Sequence, residues 1–328
     1  MDYSVLGIGQ IIWDLTVNVS FEYLETLNIE SGGHKIVDSE TFHKILSGIK
    51  QLTEKPKIFK NPGGSTANIM SNLAKIGTPS AFIGKHGDDE KGRKFMQILR
   101  DEGVHTYSIL DHENETGQLL SLITPDKDRT FIVYHGASKV LPAEMIKEEL
   151  LKALDLIHVE GYLALESEKA LWKIFKESET IAFDLAAYSV VDKTRALLQK
   201  VFSKYPPKIL FCNIFEGKAF TKKTKKNSIL EDLLEYSSIA VLTLGEEGVL
   251  IGTREGEKYH QKAIPTKVVD TTGAGDSFCA GFLHEFLKTG DIKAGAALGV
   301  KSASTTIREI GARSLSKQKL REILQKTE

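Results

Sequence analysis

The segment Val268–Ser277 (VVDTTGAGDS) joins a short extended run to a glycine-containing turn and a carboxylate. A stripe of Phe278, Phe282 and Phe286 predicts that a helix follows the turn. Glycines let the backbone approach a ligand closely, and a helix begins with N–H groups that lack intrahelical partners. The segment is therefore suited to hold a phosphoryl group while Asp276 accepts a proton from an attacking hydroxyl. On residue chemistry alone, an ordinary structural turn between a strand and a helix explains it equally well.

Other routes to nucleotide binding find little support in the chain. Gly7-Ile8-Gly9 follows an apolar run, but Ile12 stands where a dinucleotide-binding fingerprint needs its third glycine. The sequence contains no Gly-x-x-x-x-Gly-Lys-Ser/Thr loop and no His-Arg-Asp or Asp-Phe-Gly element of protein kinases. The nine histidines show no metal-ligand spacing. These observations argue against a dehydrogenase, a P-loop enzyme and a protein kinase.

Composition indicates a soluble globular enzyme. The 328 residues are 41% hydrophobic and 27% charged, and the formal net charge is −1. That balance favours neither a nucleic-acid nor a membrane partner. Two cysteines without a CxxC pair suit a reducing compartment, and we find neither a signal peptide nor an apolar run of about 20 residues. We therefore expect a cytoplasmic protein.

Short β-branched and apolar runs alternate with longer helical patterns. Such near-continuous apolar strands are typical of a parallel sheet that helices cover on both faces. The pattern predicts an α/β fold with a doubly wound, three-layer α/β/α core. The predicted strands are Ser4–Ile8, Ala81–Gly84, Leu156–Glu160, Ile181–Leu185, Ile209–Cys212 and Ile239–Leu244, and the clearest helices are Ser65–Ile76 and Glu90–Asp101.

Two stretches interrupt this alternation. Leu15–Lys35 shows no helix that would pack on the sheet, and Gln118–Ile123 with Arg129–Tyr134 reads as a hairpin around a polar turn. Together they predict a small β lid over one edge of the core. The expected division is an α/β core of residues 1–13, 36–104 and 136–328, with a lid of residues 14–35 and 105–135. The basic run Lys222–Lys226 is expected to be a solvated loop.

Five short sequence elements, taken together and in their order along the chain, resemble the motifs of one protein family. They are similar to the motifs of the ribokinase-like, or PfkB-type, carbohydrate and nucleoside kinases, and the resemblance covers essentially the whole chain, from the first strand to about Ser314. The elements are Gly7-Ile8-Gly9 with Asp14, Gly63-Gly64-Ser65-Thr66-Ala67-Asn68, Asn213-Ile214-Phe215-Glu216, Thr243-Leu244-Gly245-Glu246-Glu247-Gly248 and Asp270-Thr271-Thr272-Gly273-Ala274-Gly275-Asp276.

The resemblance implies a ribokinase-like fold and an ATP-dependent kinase. Asp276 corresponds to the base that takes the proton of the acceptor hydroxyl as this attacks the γ-phosphate. The amides of Gly273, Ala274 and Gly275 correspond to the anion hole. Phosphoryl transfer needs mainly positioning and neutralisation of spreading negative charge, which these groups would supply.

The resemblance also implies Mg²⁺, which Asn213 and Glu216 would hold largely through water. A cation that keeps several waters needs few protein ligands. Asp270 corresponds to a loop that in some members binds a monovalent cation, and the dependence on K⁺ is open. The residues that match the nucleotide site are Asn213, Glu216, Thr243, Gly245, Gly248 and Thr271.

For the acceptor, Asp14 corresponds to the carboxylate that holds a vicinal diol of a sugar. Gly63 and Gly64 would permit its close approach, and Asn68 would contact another hydroxyl. Arg129 matches a lid arginine of adenosine-kinase-like members that reaches the phosphates on closure, although a solvent-facing strand residue explains it as well.

The acceptor is a sugar or a nucleoside, and the wording Gly-Gly-Ser-Thr-Ala-Asn favours an adenosine-kinase-like member. Gln10 and Ser189 depart from that pattern, since adenosine kinases have an asparagine and a base-stacking phenylalanine at these places. Tyr188, one position before Ser189, is predicted to stack on the base instead. The alternatives are a free-sugar kinase of the same family and a non-catalytic nucleotide or metabolite sensor. Both a monomer and a homodimer fit the sequence.

Overall fold

The computed structural model describes residues 3–29, 31–52, 56–152, 154–309 and 311–313. Strands and helices alternate along most of the chain, as the apolar runs predict. The strands are β1 (Val5–Ile8), β2 (Ile12–Asn18), β3 (His34–Ile36), β4 (Phe59–Pro62), β5 (Ser80–Gly87), β6 (His105–Asp111), β7 (Thr116–Ile123), β8 (Arg129–Gly136), β9 (Leu156–Glu160), β10 (Ile181–Asp184), β11 (Ile209–Asn213), β12 (Ile239–Thr243), β13 (Val249–Thr253) and β14 (Lys258–Gln261). The helices are α1 (Phe21–Thr26), α2 (Ser39–Gln51), α3 (Ser65–Ile76), α4 (Glu90–Asp101), α5 (Leu163–Glu166), α6 (Glu168–Glu177), α7 (Tyr188–Lys204), α8 (Ile214–Thr221), α9 (Lys226–Leu234), α10 (Ala274–Thr289) and α11 (Ile292–Thr306).

The larger sheet has the strand order β14-β13-β12-β11-β10-β9-β1-β5-β6. Pairing is parallel from β12 to β6, and β13 and β14 add an antiparallel edge. From β1, the chain first builds the side with β5 and β6 and then the side that begins with β9. Such a reversal of strand order opens a crevice at the carboxyl ends of the strands, where ligands of open α/β sheets bind.

Helices cover both faces of the larger sheet, which confirms the predicted three-layer α/β/α core. One buried cluster joins the sheet to α5–α9, and another joins its opposite face to α3, α4, α10 and α11. The predicted phenylalanine stripe of α10 faces this second cluster. The Phe282 ring stacks on Phe278 at 6.1 Å and meets Phe211 edge-on at 5.5 Å.

The ends of the helices that carry site residues follow local capping rules. In α4, the Asp89 side chain accepts the Gly92 amide at 2.8 Å, which satisfies one of the free donors of the first turn. At the end of α3, Gly77 takes the left-handed conformation with φ 104°. The bounds of both helices agree with those expected from the sequence.

A second sheet, with the order β3-β8-β7-β2-β4, forms the small β layer. The predicted hairpin is present, since β7 and β8 pair antiparallel. One face of this sheet has a core of its own, in which Leu15, Leu120 and Ile132 pack with Phe42 of α2. The alternate residues point to the opposite face, toward the larger sheet.

The composition of the small sheet differs from the expected lid segments 14–35 and 105–135. Strand β6, within 105–111, pairs with β5 and belongs to the larger sheet. Conversely, β4 and α2, expected in the core, belong to the small layer, where α2 buries Phe42 and Ile49. A short strand joins the sheet in which it finds a pairing partner, and the tertiary fold decides which partner it meets. In the part of the chain that the structure describes, no helix is long and apolar enough to cross a membrane.

Candidate active site

Polar residues lie at the carboxyl ends of four neighbouring strands of the larger sheet. Glu160, Asp184, Asn213 and Thr243 end β9, β10, β11 and β12. Because these strands are parallel, the four residues share one edge of the sheet. They line a cavity of about 420 Å³ to which the small sheet contributes Asp14. A row of acids and amides beside an enclosed space is suited to bind a polar ligand.

Asp276 lies in the first turn of α10 and faces this cavity. Its Oδ1 accepts a hydrogen bond from Ser65 Oγ at 2.7 Å, and its Oδ2 accepts one from Asn68 Nδ2 at 2.7 Å. Both donors lie on α3, so the packing of α3 against α10 sets the direction of the carboxylate. Burial raises the pKa of Asp276 above its ordinary value, while the bonds from Asn68 and Ser65 oppose that rise.

The turn before α10 requires a glycine at Gly273. This residue has φ 75°, and a Cβ there would lie 2.4 Å from the Cβ of Ala312. The three amides predicted to form an anion hole are not equivalent. The Ala274 amide donates to Thr271 O at 3.2 Å, whereas Gly275 borders the cavity, and a Cβ on it would meet no described atom within 4 Å.

Asp14 on β2 packs directly against the glycine pair that precedes α3. A Cβ on Gly63 would lie 2.5 Å from the Asp14 carboxylate, so only glycine permits this approach. Among the described residues, none donates a hydrogen bond to the side-chain carboxylate of Asp14. Burial raises the pKa of Asp14 to about 7, although the positive charge of Arg313 opposes the rise. A carboxylate without donors, at the wall of a cavity, is free to accept the hydroxyls of a ligand.

Asn213 and Glu216 form a capping box at the start of α8. The Asn213 amide donates to Glu216 Oε2 at 2.8 Å, and Asn213 Oδ1 accepts the Phe215 and Glu216 amides at 2.8 and 3.0 Å. Glu216 is only 5% exposed, and burial raises its pKa to about 7. The local sequence therefore locks both side chains at the edge of the cavity.

The donor set around Glu216 fits a hydrated Mg²⁺ ion. Burial and the nearby charge of Glu216 raise the pKa of Asp184 well above its ordinary value, so a cation beside the two acids would relieve their repulsion. The described ranges contain no group of three or more side chains that would ligate a metal directly. A cation that keeps several waters and needs few protein oxygens satisfies both observations.

Arg129, the first residue of β8, connects the small sheet to the turn before α10. Its Nη2 donates to Asp270 Oδ1 at 2.7 Å, and its Nη1 donates to Thr272 Oγ1. Asp270 also accepts the Gly311 amide at 3.0 Å. Burial alone would raise the pKa of Asp270, but hydrogen bonds from the Thr272 amide and hydroxyl, with the Gly311 amide and the charge of Arg129, hold it below its ordinary value. The carboxylate expected in a monovalent-cation loop thus already faces a guanidinium.

A second cavity, of about 850 Å³, lies on the other side of the α10 start. It contains the predicted nucleotide residues Thr243, Gly245, Gly248 and Thr271, and its remaining wall is largely apolar. Thr243, Gly275 and Phe278 border both cavities. The apolar side chains of that wall include Ile264, Val268, Val300 and Ile307.

Tyr188 does not reach the first cavity. It begins α7 and is 61% exposed, while Ala186, in the turn before the helix, lines the cavity instead. Ala186 has a positive φ of 68°, and its amide donates to Asp184 Oδ1 at 2.7 Å. This turn leaves Tyr188 on the surface, so its predicted stacking role is not retained.

The small sheet supplies an aromatic face that the sequence did not single out. Phe131 on β8 lines the cavity, and so does His135, whose Nδ1 is buried without a hydrogen-bond partner among the described residues. Burial lowers the pKa of His135 to about 4, so its imidazole is neutral near pH 7. Other residues of this wall are Ile12, His34, Leu119 and Val133.

Glu160 and Arg313 are two further site residues that the motifs did not indicate. Glu160 accepts the Gln10 amide at 2.6 Å and the Thr66 amide at 3.0 Å, and burial raises its pKa to about 7. An acid at the end of a fully buried and mostly apolar strand is the sequence signal that points to it. Arg313 donates from Nε to Asn68 Oδ1 at 2.6 Å, so both ends of the Asn68 amide are engaged within the protein.

The chain is similar to known proteins over most of its length. The sequence profile of the pfkB family carbohydrate kinases matches residues 27–319. An uncharacterized sugar kinase of Archaeoglobus fulgidus is 29% identical over 244 residues, which cover 74% of this chain and 96% of the relative. The probable fructokinase-5 of Arabidopsis thaliana is 28% identical over 278 residues, 80% of this chain and 84% of the relative. The crystal structure of adenosine kinase from Sinorhizobium meliloti matches with a TM-score of 0.89 and 26% identity, over 100% of both chains.

Proposed function

Since this chain belongs to the pfkB family of carbohydrate kinases, and is thus a phosphotransferase that acts on a hydroxyl group, we propose that its acceptor is a nucleoside and its catalytic base Asp276. The observation that carries the proposal is the meeting of two cavities at Gly275, with Asp276 beside it. The cavity that Asp14 lines would hold the acceptor, and the second cavity, lined by Gly245 and Gly248, would hold ATP.

The transfer follows from this arrangement. The acceptor oxygen forms a bond to the γ-phosphorus, the bond from that phosphorus to the β,γ-bridging oxygen breaks, and the hydroxyl proton passes to Asp276. The Gly275 amide at the positive end of α10 would stabilise charge on the transferring group. Asn213, Glu216 and Asp184 would hold Mg²⁺ through water, and the bound ion would neutralise charge on the phosphates.

The acceptor cavity has two chemically different walls. Asp14 offers two oxygens without donors, which suits the vicinal diol of a sugar ring. Beyond it, Phe131 lies among apolar side chains of the small sheet, which we propose acts as the lid. A free sugar has little apolar surface to place there, whereas the base of a nucleoside does. Stacking on an aromatic side chain contributes about 1–3 kcal/mol per base.

A free-sugar kinase is the second candidate, because sequence relatives include proteins named as sugar kinase and fructokinase. In that case Asp14 and Asp276 keep their roles, and the apolar wall of the small sheet only excludes water. The two candidates share the donor and the chemistry. They differ in the acceptor alone.

A coupled assay of ADP release, with adenosine, ribose and fructose as acceptors, tests the proposal. We expect the highest kcat/KM with adenosine. Asp276→Asn keeps the shape of the side chain but removes its basicity, so kcat should fall roughly 10²–10⁴-fold. Asp192→Asn, on the exposed face of α7, is the control for the same change elsewhere. Turnover of a sugar without turnover of adenosine would establish the second candidate, and a fully active, folded Asp276→Asn enzyme would exclude Asp276 as the base.

A further inference from the structure

Arg313 is buried beside the candidate base, although it belongs to the C-terminal segment 311–313. Its guanidinium lies 5.3 Å from the centre of the Phe95 ring. Its Nη2 donates to Gly63 O at 3.1 Å, and its Nη1 lies 3.4 Å from Glu102 Oε2. The guanidinium is therefore fixed on several sides, which leaves its Nε with one defined direction.

That direction is toward the amide of Asn68. An asparagine amide has an acceptor end and a donor end of nearly equal size, and only its hydrogen-bond partners decide which way it points. Arginine has donors and no acceptor, so Nε at 2.6 Å requires Oδ1 of Asn68 on its side. The donor end, Nδ2, then points to Asp276 Oδ2 at 2.7 Å.

We infer that Arg313 is a positioning residue for phosphoryl transfer, which acts through Asn68 to orient the carboxylate of Asp276. With the amide reversed, Oδ1 would face Asp276, and two acceptors would repel each other. The carboxylate would then lose one of its two donors from α3 and its fixed angle toward the acceptor. The inference rests on the proposed function, in which Asp276 is the base.

A purely structural role for Arg313 is the competing explanation. The same segment contacts the turn before α10, since Gly311 donates to Asp270 and Ala312 packs on Gly273. Arg313 would then only anchor the segment, and its loss would destabilise the fold without a special dependence on Asn68. The two explanations differ in whether the loss of kcat on replacing Arg313 depends on the presence of Asn68.

A double-mutant cycle of Arg313→Met and Asn68→Ala separates them. Methionine keeps an apolar stem over Phe95 and removes every donor. We expect Arg313→Met to lower kcat about 10- to 100-fold, the range for losing a hydrogen bond to a charged group, with the KM for ATP little changed. In the Asn68→Ala background the same change should lower kcat by less than about twofold, because the residue it acts through is gone. Equal fold-losses in both backgrounds would overturn the inference.

Three further variants keep the result interpretable. Arg195→Met removes another part-buried arginine, which donates to Phe220 O at 2.6 Å away from the site, and should leave kcat unchanged. If Arg313→Met does not fold, Arg313→Lys enters the same cycle: it keeps the charge but not the planar fork, so a smaller loss that again vanishes without Asn68 is expected. Asp276→Asn shows whether a negative result concerns the base itself or only the residue that positions it. If Asp276→Asn is inactive and the cycle is additive, Asp276 remains the base of the proposed function and only the positioning role of Arg313 is excluded.

Discussion

At the scale of single residues, the proposed nucleoside acceptor would make a sugar contact and a base contact with different walls of the cavity. Asp14 lies at one wall of the cavity with no donor among the described residues, and Phe131 lies on the wall that the small sheet contributes. Tyr188 is on the surface at the start of α7. Phe131 and Tyr188 are therefore a natural pair of aromatic residues with which to test how the acceptor binds.

We expect Phe131→Ala to weaken a nucleoside acceptor by about 1–2 kcal/mol, or roughly tenfold in KM, because a stacking face is lost. A free sugar, which does not reach that wall, should be affected much less. Steady-state kinetics with adenosine and ribose measure both. Tyr188→Ala serves as the matched control and should change neither. The reverse pattern, with Tyr188→Ala raising the KM for adenosine, would contradict the assignment of the aromatic face.

The residues that the sequence singles out are those whose chemistry is local. Gly273 and Asp276 belong to one turn, and Asn213 caps the helix that contains Glu216, so short spacing predicts their arrangement. Arg313 meets Asn68 from the far end of the chain. No short pattern contains such a contact, because it depends on how α3 and the C-terminal segment meet in the folded protein.

At the scale of elements, the small sheet is joined to the turn before α10 by the Arg129–Asp270 ion pair. The arginine side chain is about one-third exposed, and the aspartate is buried. Because β8 begins at Arg129, the ion pair holds one end of this strand near the start of α10. Opening of the small sheet would break it.

Arg129→Gln should let the small sheet open more often. An ion pair with one partly exposed member contributes at most about 1 kcal/mol, so we expect amide exchange in β7 and β8 to become up to about fivefold faster without substrates. Hydrogen exchange followed by mass spectrometry measures this. Arg93→Gln, which removes an exposed pair with Asp88, is the control and should leave these strands unchanged. Identical exchange in the Arg129 variant and the parent protein would mean that the small sheet is held by packing alone.

Elements with strong periodicity are predictable, and their partners are not. The bounds of α3 and α4 follow from an apolar pattern and a terminal glycine. Whether β4 or β6 joins the small sheet depends on the strand that each one meets. An exposed strand of four residues such as β4 contains too little pattern to decide that question.

At the scale of the whole molecule, a near-neutral chain concentrates buried acids around one cavity. Burial raises the pKa of Asp14 and of Glu160 to about 7, whereas both titrate near 4 in an unfolded chain. The folded protein therefore keeps protons that the unfolded chain has lost over this range. The stabilisation from these groups is complete below about pH 4 and is lost as pH rises through about 7.

We accordingly expect the substrate-free protein to unfold at a lower urea concentration near pH 8 than near about pH 5.5. Urea titrations at both pH values, followed by circular dichroism, give the two midpoints. In Glu160→Gln one titrating group is gone, but its carbonyl still accepts a backbone amide, so the difference between the midpoints should shrink. An equal or larger difference in that variant would show that other groups control the pH dependence.

The contact between Arg313 and Asn68 also has a consequence for biosynthesis. Asp14 and Arg313 lie near opposite ends of the 328-residue sequence, yet both face the same carboxylate, Asp276. On the ribosome, β2 and α3 emerge early, whereas Arg313 emerges only after α10. If Arg313 positions the base as we infer, a nascent chain in which this arginine has not yet reached Asn68 would transfer phosphate about 10- to 100-fold more slowly than the folded protein.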